Sequence, residues 1–402
     1  MNHDNVIYLD NASTTFPTKE CINEFLECAN EYYNPASTYC TGGIDAHNKI
    51  EKARKKIAKF INANPSEIYF TSGGSEANSW AIKGIVEAND IDTIITTPIE
   101  HSSVNNAIKQ LSETNPDMCV FETPIDNYGN VEIKAFENMI GINKGRKILV
   151  AIMFANNEIG TVQRISDLSY ITKQYEDTWF FTDAVQAFGN ININMKNLEC
   201  VDMLSASGHK IGCFSGIGFL YVKSGTNIAP LINGGKQERG LRGGTENYCY
   251  IVPFGNQVAR VQRGFKNRWS DLANKSYYLY KKIFDGEIAN YCDLRLNGNS
   301  IGDYERLPNN LSIVFGGINS DIIINLLDER GFIVSYGSAC NAGTGEPSKV
   351  LKAIGLSDEE ASSTIRISIN QYITFDDLSL FYENLLDIVK FIGTPVDEEL
   401  LE

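Results

Sequence analysis

The run Val201-Asp-Met-Leu-Ser-Ala-Ser-Gly-His-Lys210 passes from apolar to small and polar residues and leaves a lysine on a Gly-flanked turn. A lysine just past a buried strand, beside Ser207 and His209, can be held out of bulk water with a lowered pKa, which is what a Schiff-base lysine requires. Asp183 directly follows the aromatic run Trp179-Phe-Phe-Thr182. A carboxylate there can bond a protonated ring nitrogen and keep that ring an electron sink, with Gln186 in reach of a ring oxygen; it can equally cap a following helix. Cys340 lies in a loop with Gly337, Gly343 and Gly345 and no large apolar residue before Val350. Such a loop is built to move, and its thiol is exposed, a setting that favours a reactive over a core cysteine.

Three further groups complete the chemistry. Thr71-Ser-Gly-Gly-Ser75 stands between an apolar run and a helical pattern. Its glycines let backbone amides approach an anion, its serines add donors, and a helix N-terminus favours negative charge; the other reading is a plain strand-to-helix turn. The stretch lacks the lysine of a nucleotide-binding P-loop. His101 can cover a ring face or be an ordinary loop histidine. Arg366 can clamp a carboxylate through two parallel hydrogen bonds, or sit exposed on its strand in a surface salt bridge. A Schiff-base lysine, a phosphate cradle, a carboxylate for a ring nitrogen and a ring cover are the parts a pyridoxal phosphate site needs.

The elements that must position these groups alternate. Short apolar runs at Glu67–Thr71, Thr93–Thr96, Ile148–Phe154, Trp179–Thr182, Val201–Leu204 and Phe219–Val222 read as strands, several separated by helical patterns. That rhythm predicts an α/β layer with a mostly parallel sheet. Ligands of such sheets bind beyond the carboxyl ends of the strands, where Ser72, His101, Asn157, Asp183 and Lys210 all fall. Ahead of them Tyr8–Pro17 suits an extended arm, and Thr18–Tyr32 and Ala46–Ile61 suit helices. The basic residues of the second helix, Lys49, Lys52, Arg54, Lys55 and Lys56, read as a solvated face.

Near residue 255 the rhythm changes to a long mixed-charge helix, Gln257–Phe284, opening a smaller unit. It holds a strand at Leu311–Phe315, a helix from Ser320 to Arg330, a Ser357/Glu360 capping box, and a strand in which Ile365, Ile367 and Ile369 alternate with Arg366 and Ser368, arginine on the opposite face. The expected division is a large unit at 15–255 and a small one at 256–402 that includes the arm 1–14.

Composition sets bounds. At 402 residues and 43% hydrophobic the chain can build a large core and a second, smaller one. A net charge of -15 argues against a broad nucleic-acid surface. The first residues show no cationic region followed by an apolar segment, and no run reaches the roughly 18 apolar residues of a membrane span, so the expectation is a cytoplasmic protein without membrane contact. Nine cysteines without repeated spacing suggest neither a disulfide framework nor a metal site.

Together these residues resemble the cysteine desulfurases, of the class V aminotransferase family within the fold-type I pyridoxal phosphate enzymes. From Tyr8 to about Thr374 the motifs keep one order: Tyr-Leu-Asp-Asn-Ala-Ser-Thr-Thr, Asn-Pro-Ala-Ser, Thr-Ser-Gly-Gly-Ser-Glu-Ala-Asn, Glu-His, Asn-Asn-Glu-Ile-Gly, Asp-Ala-Val-Gln, Ser-Gly-His-Lys, Arg-Gly-Gly-Thr, and Gly-Ser-Ala-Cys with Glu-Pro-Ser. The resemblance implies a fold-type I architecture, with a large domain around a mostly parallel seven-stranded sheet and a smaller α+β C-terminal domain. It makes Lys210 the lysine that carries pyridoxal 5'-phosphate and Cys340 the nucleophile that takes sulfur as a persulfide. Asp183 would pair with the pyridine nitrogen, Gln186 and Asn157 would sit near the ring oxygen, and His101 would stack on the ring as a third catalytic group. Gly74, Ser75, Ser207 and His209 would hold the phosphate, and Arg366, with Asn157, the carboxylate of L-cysteine.

It further implies a homodimer in which Thr245 reaches the partner subunit's phosphate. The sulfur would pass to an acceptor such as a cluster scaffold or a thiolation enzyme. Two departures, Cys40 where the family usually has histidine and Asn370-Gln371 in place of a Gly-Arg pair, bear on substrate fit and partners rather than on the core roles. The alternatives are a selenocysteine lyase, a desulfurase dedicated to one pathway, and a catalytically silent interaction protein.

Overall fold

The computed structural model describes residues 6–31, 33–336 and 347–392. The chain enters as β1 (Ile7–Tyr8), crosses as an arm, and continues into α1 (Lys19–Asn30) and α2 (Thr41–Phe60). Seven strands then build one sheet: β2 (Ile68–Thr71), β3 (Thr93–Thr96), β4 (Cys119–Glu122), β5 (Ile148–Ala151), β6 (Thr178–Asp183), β7 (Met203–Ser207) and β8 (Gly218–Val222). Their spatial order is β2-β8-β7-β6-β5-β3-β4. Neighbours from β7 through β4 are parallel, and β8 is antiparallel to both β7 and β2.

The connecting helices include α3 (Gly74–Asn89), α4 (Ser102–Thr114), α5 (Ile133–Ile142) and α6 (Ile165–Thr172). Every residue of β3, β5, β7 and β8 is buried. Strands covered on both faces need continuous apolar runs, which is why these stretches carry no alternation. The mostly parallel α/β sheet expected from the sequence is the one observed.

The long helix, α7, spans Tyr248–Phe284 and so begins well before Gln257. Pro253 lies inside it and removes one backbone donor, which favours a later start. Packing overrides that cost: Tyr248, Ile251, Phe254 and Val258 are buried in the apolar cluster that also holds Ile50 and Ile57 of α2. The same helix continues past residue 255 and places Leu272, Leu279 and Ile283 in a second cluster.

That second cluster surrounds the later elements. Strands β9 (Leu294–Leu296), β10 (Asn310–Phe315), β11 (Phe332–Ile333), β12 (Ser335–Tyr336) and β13 (Thr364–Ser368) are joined by α8 (Ser320–Glu329), α9 (Lys349–Ala353) and α10 (Asp358–Ser362), with α11 (Phe375–Ile392) last. An antiparallel sheet runs β12-β13-β10-β9, while β11 pairs in parallel with β1 of the arm. The capping box is present: Glu360 N–H donates to Ser357 Oγ at 3.1 Å and Ser357 N–H to Glu360 Oε2 at 2.7 Å.

Three expectations are corrected. Arg54 is not on a solvated face: its guanidinium is buried and donates to both carboxylate oxygens of Glu238, at 2.8 and 2.9 Å, and to Ile68 O. A run of like charges in sequence hides that one member meets a partner 184 positions away. Arg366 is 1% exposed, so the polar face of β13 looks inward and the surface reading of this arginine fails. Finally, turns rather than a helix follow Asp183, which removes the helix-cap reading.

Helices α2 and α7 touch almost backbone to backbone at Gly255. A Cβ built there would stand 2.4 Å from Ala53 Cβ. Gly255→Ala therefore overpacks the crossing, and we expect a loss of about 1–3 kcal/mol, read as a lower denaturant midpoint at unchanged slope.

Candidate active site

A cavity of about 340 Å³ opens at the carboxyl ends of the sheet strands. Five strand ends converge there: β2 with Gly74 and Ser75, β3 with His101, β5 with Asn157, β6 with Asp183 and Gln186, and β7 with Ser207, His209 and Lys210. Arg366 of β13 closes one wall. The cavity thus gathers the expected site residues with two exceptions. Thr245 is exposed and is not among the residues lining it. Cys340 lies outside the described residues, as do Gly337, Gly343 and Gly345.

The described residues on either side of the segment that carries Cys340 pair with, or bond beside, residues that line the cavity. On one side Ser335 of β12 is in register with Arg366. On the other, Ser348 Oγ donates to Glu158 Oε2 at 2.5 Å, one residue beyond the lining Asn157, and also caps α9.

The arm holds the cationic side chains. Lys210 Nζ donates to Ala12 O at 2.6 Å and to Ser13 O at 2.5 Å, and Gln186 Nε2 donates to the same Ala12 O at 2.8 Å. Thr15 bonds the lysine turn twice, through its hydroxyl to His209 O at 2.7 Å and from Gly212 N–H at 2.7 Å. Arg366 gives one terminal nitrogen to Asp10 Oδ1 at 2.7 Å and Ser13 Oγ at 2.6 Å, and the other to Asn157 O at 3.2 Å. Its Nε is buried and has no partner among the described residues.

Asp183 is buried, with Val185 N–H on Oδ1 at 2.9 Å and Asn78 Nδ2 on Oδ2 at 2.6 Å. At the other end, α3 starts at Gly74 with its first N–H groups lacking helical acceptors, beside Ser75 and Ser207. A Cβ at Gly74 would sit 2.6 Å from Val185 Cγ2, so only glycine lets the backbone approach here. Desolvation, with Lys210 and His101 nearby, pushes His209 down to about 4, so at neutral pH it offers a hydrogen bond rather than a charge.

Three residues of the site have no role assigned from the sequence, although Asn78 ends the motif Thr-Ser-Gly-Gly-Ser-Glu-Ala-Asn and Glu100 opens Glu-His. Asn78 and Ser103 line the cavity. Asn78 stands one helical turn after Gly74, a spacing that places both on one face of α3 and is the sequence signal that could have found it. Ser103 and Glu100 gave no such signal. Glu100 Oε1 accepts Thr97 Oγ1 at 2.7 Å and Met153 N–H at 2.8 Å, while Oε2 has no partner among the described residues. Burial, helped by the charge of Asp183, raises this carboxyl to about 8.

An α/β sheet with a lysine, a carboxylate and a helix N-terminus around one cavity defines a class of cofactor enzyme, and comparison with known proteins narrows it. The family model for Aminotransferase class-V matches residues 7–381. A cysteine desulfurase IscS of Clostridium botulinum is 37% identical over 387 residues, 96% of this chain and 94% of the relative. Among solved structures, a NifS-like protein superposes with a TM-score of 0.87 at 33% identity, covering 96% of this chain and all of that one. A structure described as SspA in complex with cysteine gives 0.77 at 35% identity, covering 91% and 99%.

The chain belongs to the class V aminotransferase family. Its cofactor is pyridoxal 5'-phosphate, and the residues present fit it: an amine, a buried carboxylate, a glycine-lined anion cradle and an imidazole share one cavity of suitable size.

The titration of Glu100 has a definite sign. Its folded value lies above the ordinary 4.5, so its contribution to stability is complete below pH 4.5 and is lost as pH rises through about 8. In thermal melts of the cofactor-loaded protein, Glu100→Gln is expected to gain on the wild type steadily from pH 5 to pH 8; a constant difference across that range contradicts a neutral Glu100.

Proposed function

We propose that the chain is a cysteine desulfurase that removes sulfur from L-cysteine, leaving L-alanine and a persulfide on Cys340. The observation that carries this reading is the convergence of Lys210, Asp183 and Arg366 on one cavity, with the described residues on either side of the Cys340 segment joined to Arg366 and to Glu158, next to the lining Asn157. The similarity to a cysteine desulfurase and to a protein solved in complex with cysteine points the same way.

Each side chain then has one task. When bound, pyridoxal phosphate supplies a ring that draws electron density from the substrate's α carbon. Asp183 keeps a proton on the pyridine nitrogen, and its two hydrogen-bond donors hold it in place for this. Gly74, Ser75, Ser207 and His209 bind the phosphate at the start of α3. Gln186 and Asn157 lie near the ring oxygen, and His101 covers the ring. Arg366, oriented by Asp10 and Ser13, takes the substrate carboxylate.

Lys210 moves the substrate's α proton as base and returns it as acid, over a distance the arm carbonyls already restrict. The Cys340 thiolate attacks the substrate sulfur: an S–S bond forms, the C–S bond breaks, and its electron pair leaves with the carbon that is protonated to alanine. The persulfide sulfur then passes to an acceptor protein, a cluster scaffold or a thiolation enzyme. Thr245, exposed and outside its own chain's cavity, serves the phosphate of a second copy in a homodimer.

The test is alanine release from L-cysteine with a thiol reductant, for wild type and Cys340→Ala. We expect the variant to keep its cofactor absorbance while losing activity on the order of 10³-fold or more. A fully loaded wild type that releases no alanine contradicts the reading.

A further inference from the structure

We infer that Asn78 and Ser103 form a relay of fixed hydrogen-bond polarity that sets His101 in the tautomer with its ring proton on Nε2. His101 then acts on a bound molecule as a hydrogen-bond donor and aromatic face, and not as the base that removes the α proton. The inference rests on reading the cavity as the pyridoxal phosphate site.

The polarity can be followed atom by atom from Asp183. A carboxylate only accepts, so the 2.6 Å contact to Asn78 is made by the amide nitrogen. The other end of the amide agrees: Asn78 Oδ1 accepts from the fully buried Ser205 hydroxyl at 2.5 Å. Reversing the amide would set two acceptors against each other and strand a buried hydroxyl, so the orientation is fixed. The second amide hydrogen therefore goes to Ser103 Oγ, at 2.8 Å.

Ser103 Oγ, accepting there, has one proton of its own to place. His101 Nδ1 is 2.7 Å away. The backbone N–H of Ser103 also donates to Nδ1, at 3.2 Å, because His101 is the N-cap of α4 and its ring replaces the usual capping oxygen. Two donors aimed at one ring nitrogen require a lone pair on it. A neutral imidazole has one donor and one acceptor nitrogen, so the proton is on Nε2.

A ring in that state cannot take a proton at Nε2, and one added at Nδ1 would face both Ser103 donors. The base role thus falls to Lys210. Asn78 and Ser103 are positioning residues: one amide fixes the carboxylate for the pyridine nitrogen and, through one hydroxyl, the histidine.

The test reads the proton directly. Nitrogen–proton correlation spectra of the imidazole rings, taken on the full cofactor-loaded chain, separate the tautomers without turnover. The chain has four histidines, and His101→Gln assigns the signal. We expect an unprotonated Nδ1 and a protonated Nε2 for His101 at neutral pH. In Ser103→Ala a measurable Nδ1–H population should emerge, and Ser103→Thr, which restores the hydroxyl, should abolish it.

A wild-type ring with its proton on Nδ1, or doubly protonated, overturns the inference whatever Ser103→Ala does. An unchanged tautomer in Ser103→Ala overturns the relay. Absence of alanine release in the assay above strikes only the desulfurase reading and leaves the tautomer result standing.

Discussion

Two cationic side chains, Lys210 after β7 and Arg366 on β13, have to be satisfied around one cavity, and a single segment does it. The arm from Asp10 to Thr15 gives Lys210 two backbone carbonyls and gives Arg366 a carboxylate and a hydroxyl. Burying such groups without partners costs several kcal/mol each, so the arm is a condition for having both in the cavity. It also fixes the geometry between the two apolar cores. Leu9 is buried in the second cluster, Ala12 N–H donates to Ser368 Oγ at 2.8 Å, and Thr15 is bonded to the lysine turn of the large sheet.

Electrostatics inside the cavity follow from the same economy of charge. Asp183 carries its own two hydrogen-bond donors, Val185 N–H and Asn78 Nδ2. Glu100 has no partner for one oxygen among the described residues, and burial keeps it neutral well above the ordinary carboxyl range. His209 is likewise held neutral by desolvation. The cavity thus sets the Asp183 carboxylate with its two donors, the start of α3, and the arm-held Lys210 and Arg366 in separate environments around one space.

Much of this was legible in the sequence, for a local reason. Gly74, Asp183 and Lys210 each stand just past a short apolar run, and in a parallel sheet such ends meet at one edge. Strand rhythm therefore predicted their meeting without any contact information. What stayed hidden depends on distant partners. Arg54 reads as one of a basic run until Glu238 is placed beside it, and Arg366 reads as the exposed face of a strand until the arm covers it. The start of α7 was hidden by Pro253, whose local penalty is outweighed by burial against α2. Ser103 lies in none of the motifs and Glu100 enters only beside His101, because their roles arise from hydrogen bonds fixed only by the fold.

The departure at Asn370 has a structural account as well. Its amide donates to Asn11 Oδ1 at 3.0 Å and its carbonyl oxygen accepts from Tyr372 and Ile373 N–H, so it ties the end of β13 to the arm. The arm, and with it the placement of Lys210, is thus the feature on which the account stands. Reductive trapping with borohydride followed by peptide mass mapping tests it most directly: the loaded chain should carry the pyridoxyl mass on the peptide that contains Lys210. Label on any other lysine, or none in protein that retains cofactor absorbance, would contradict the account.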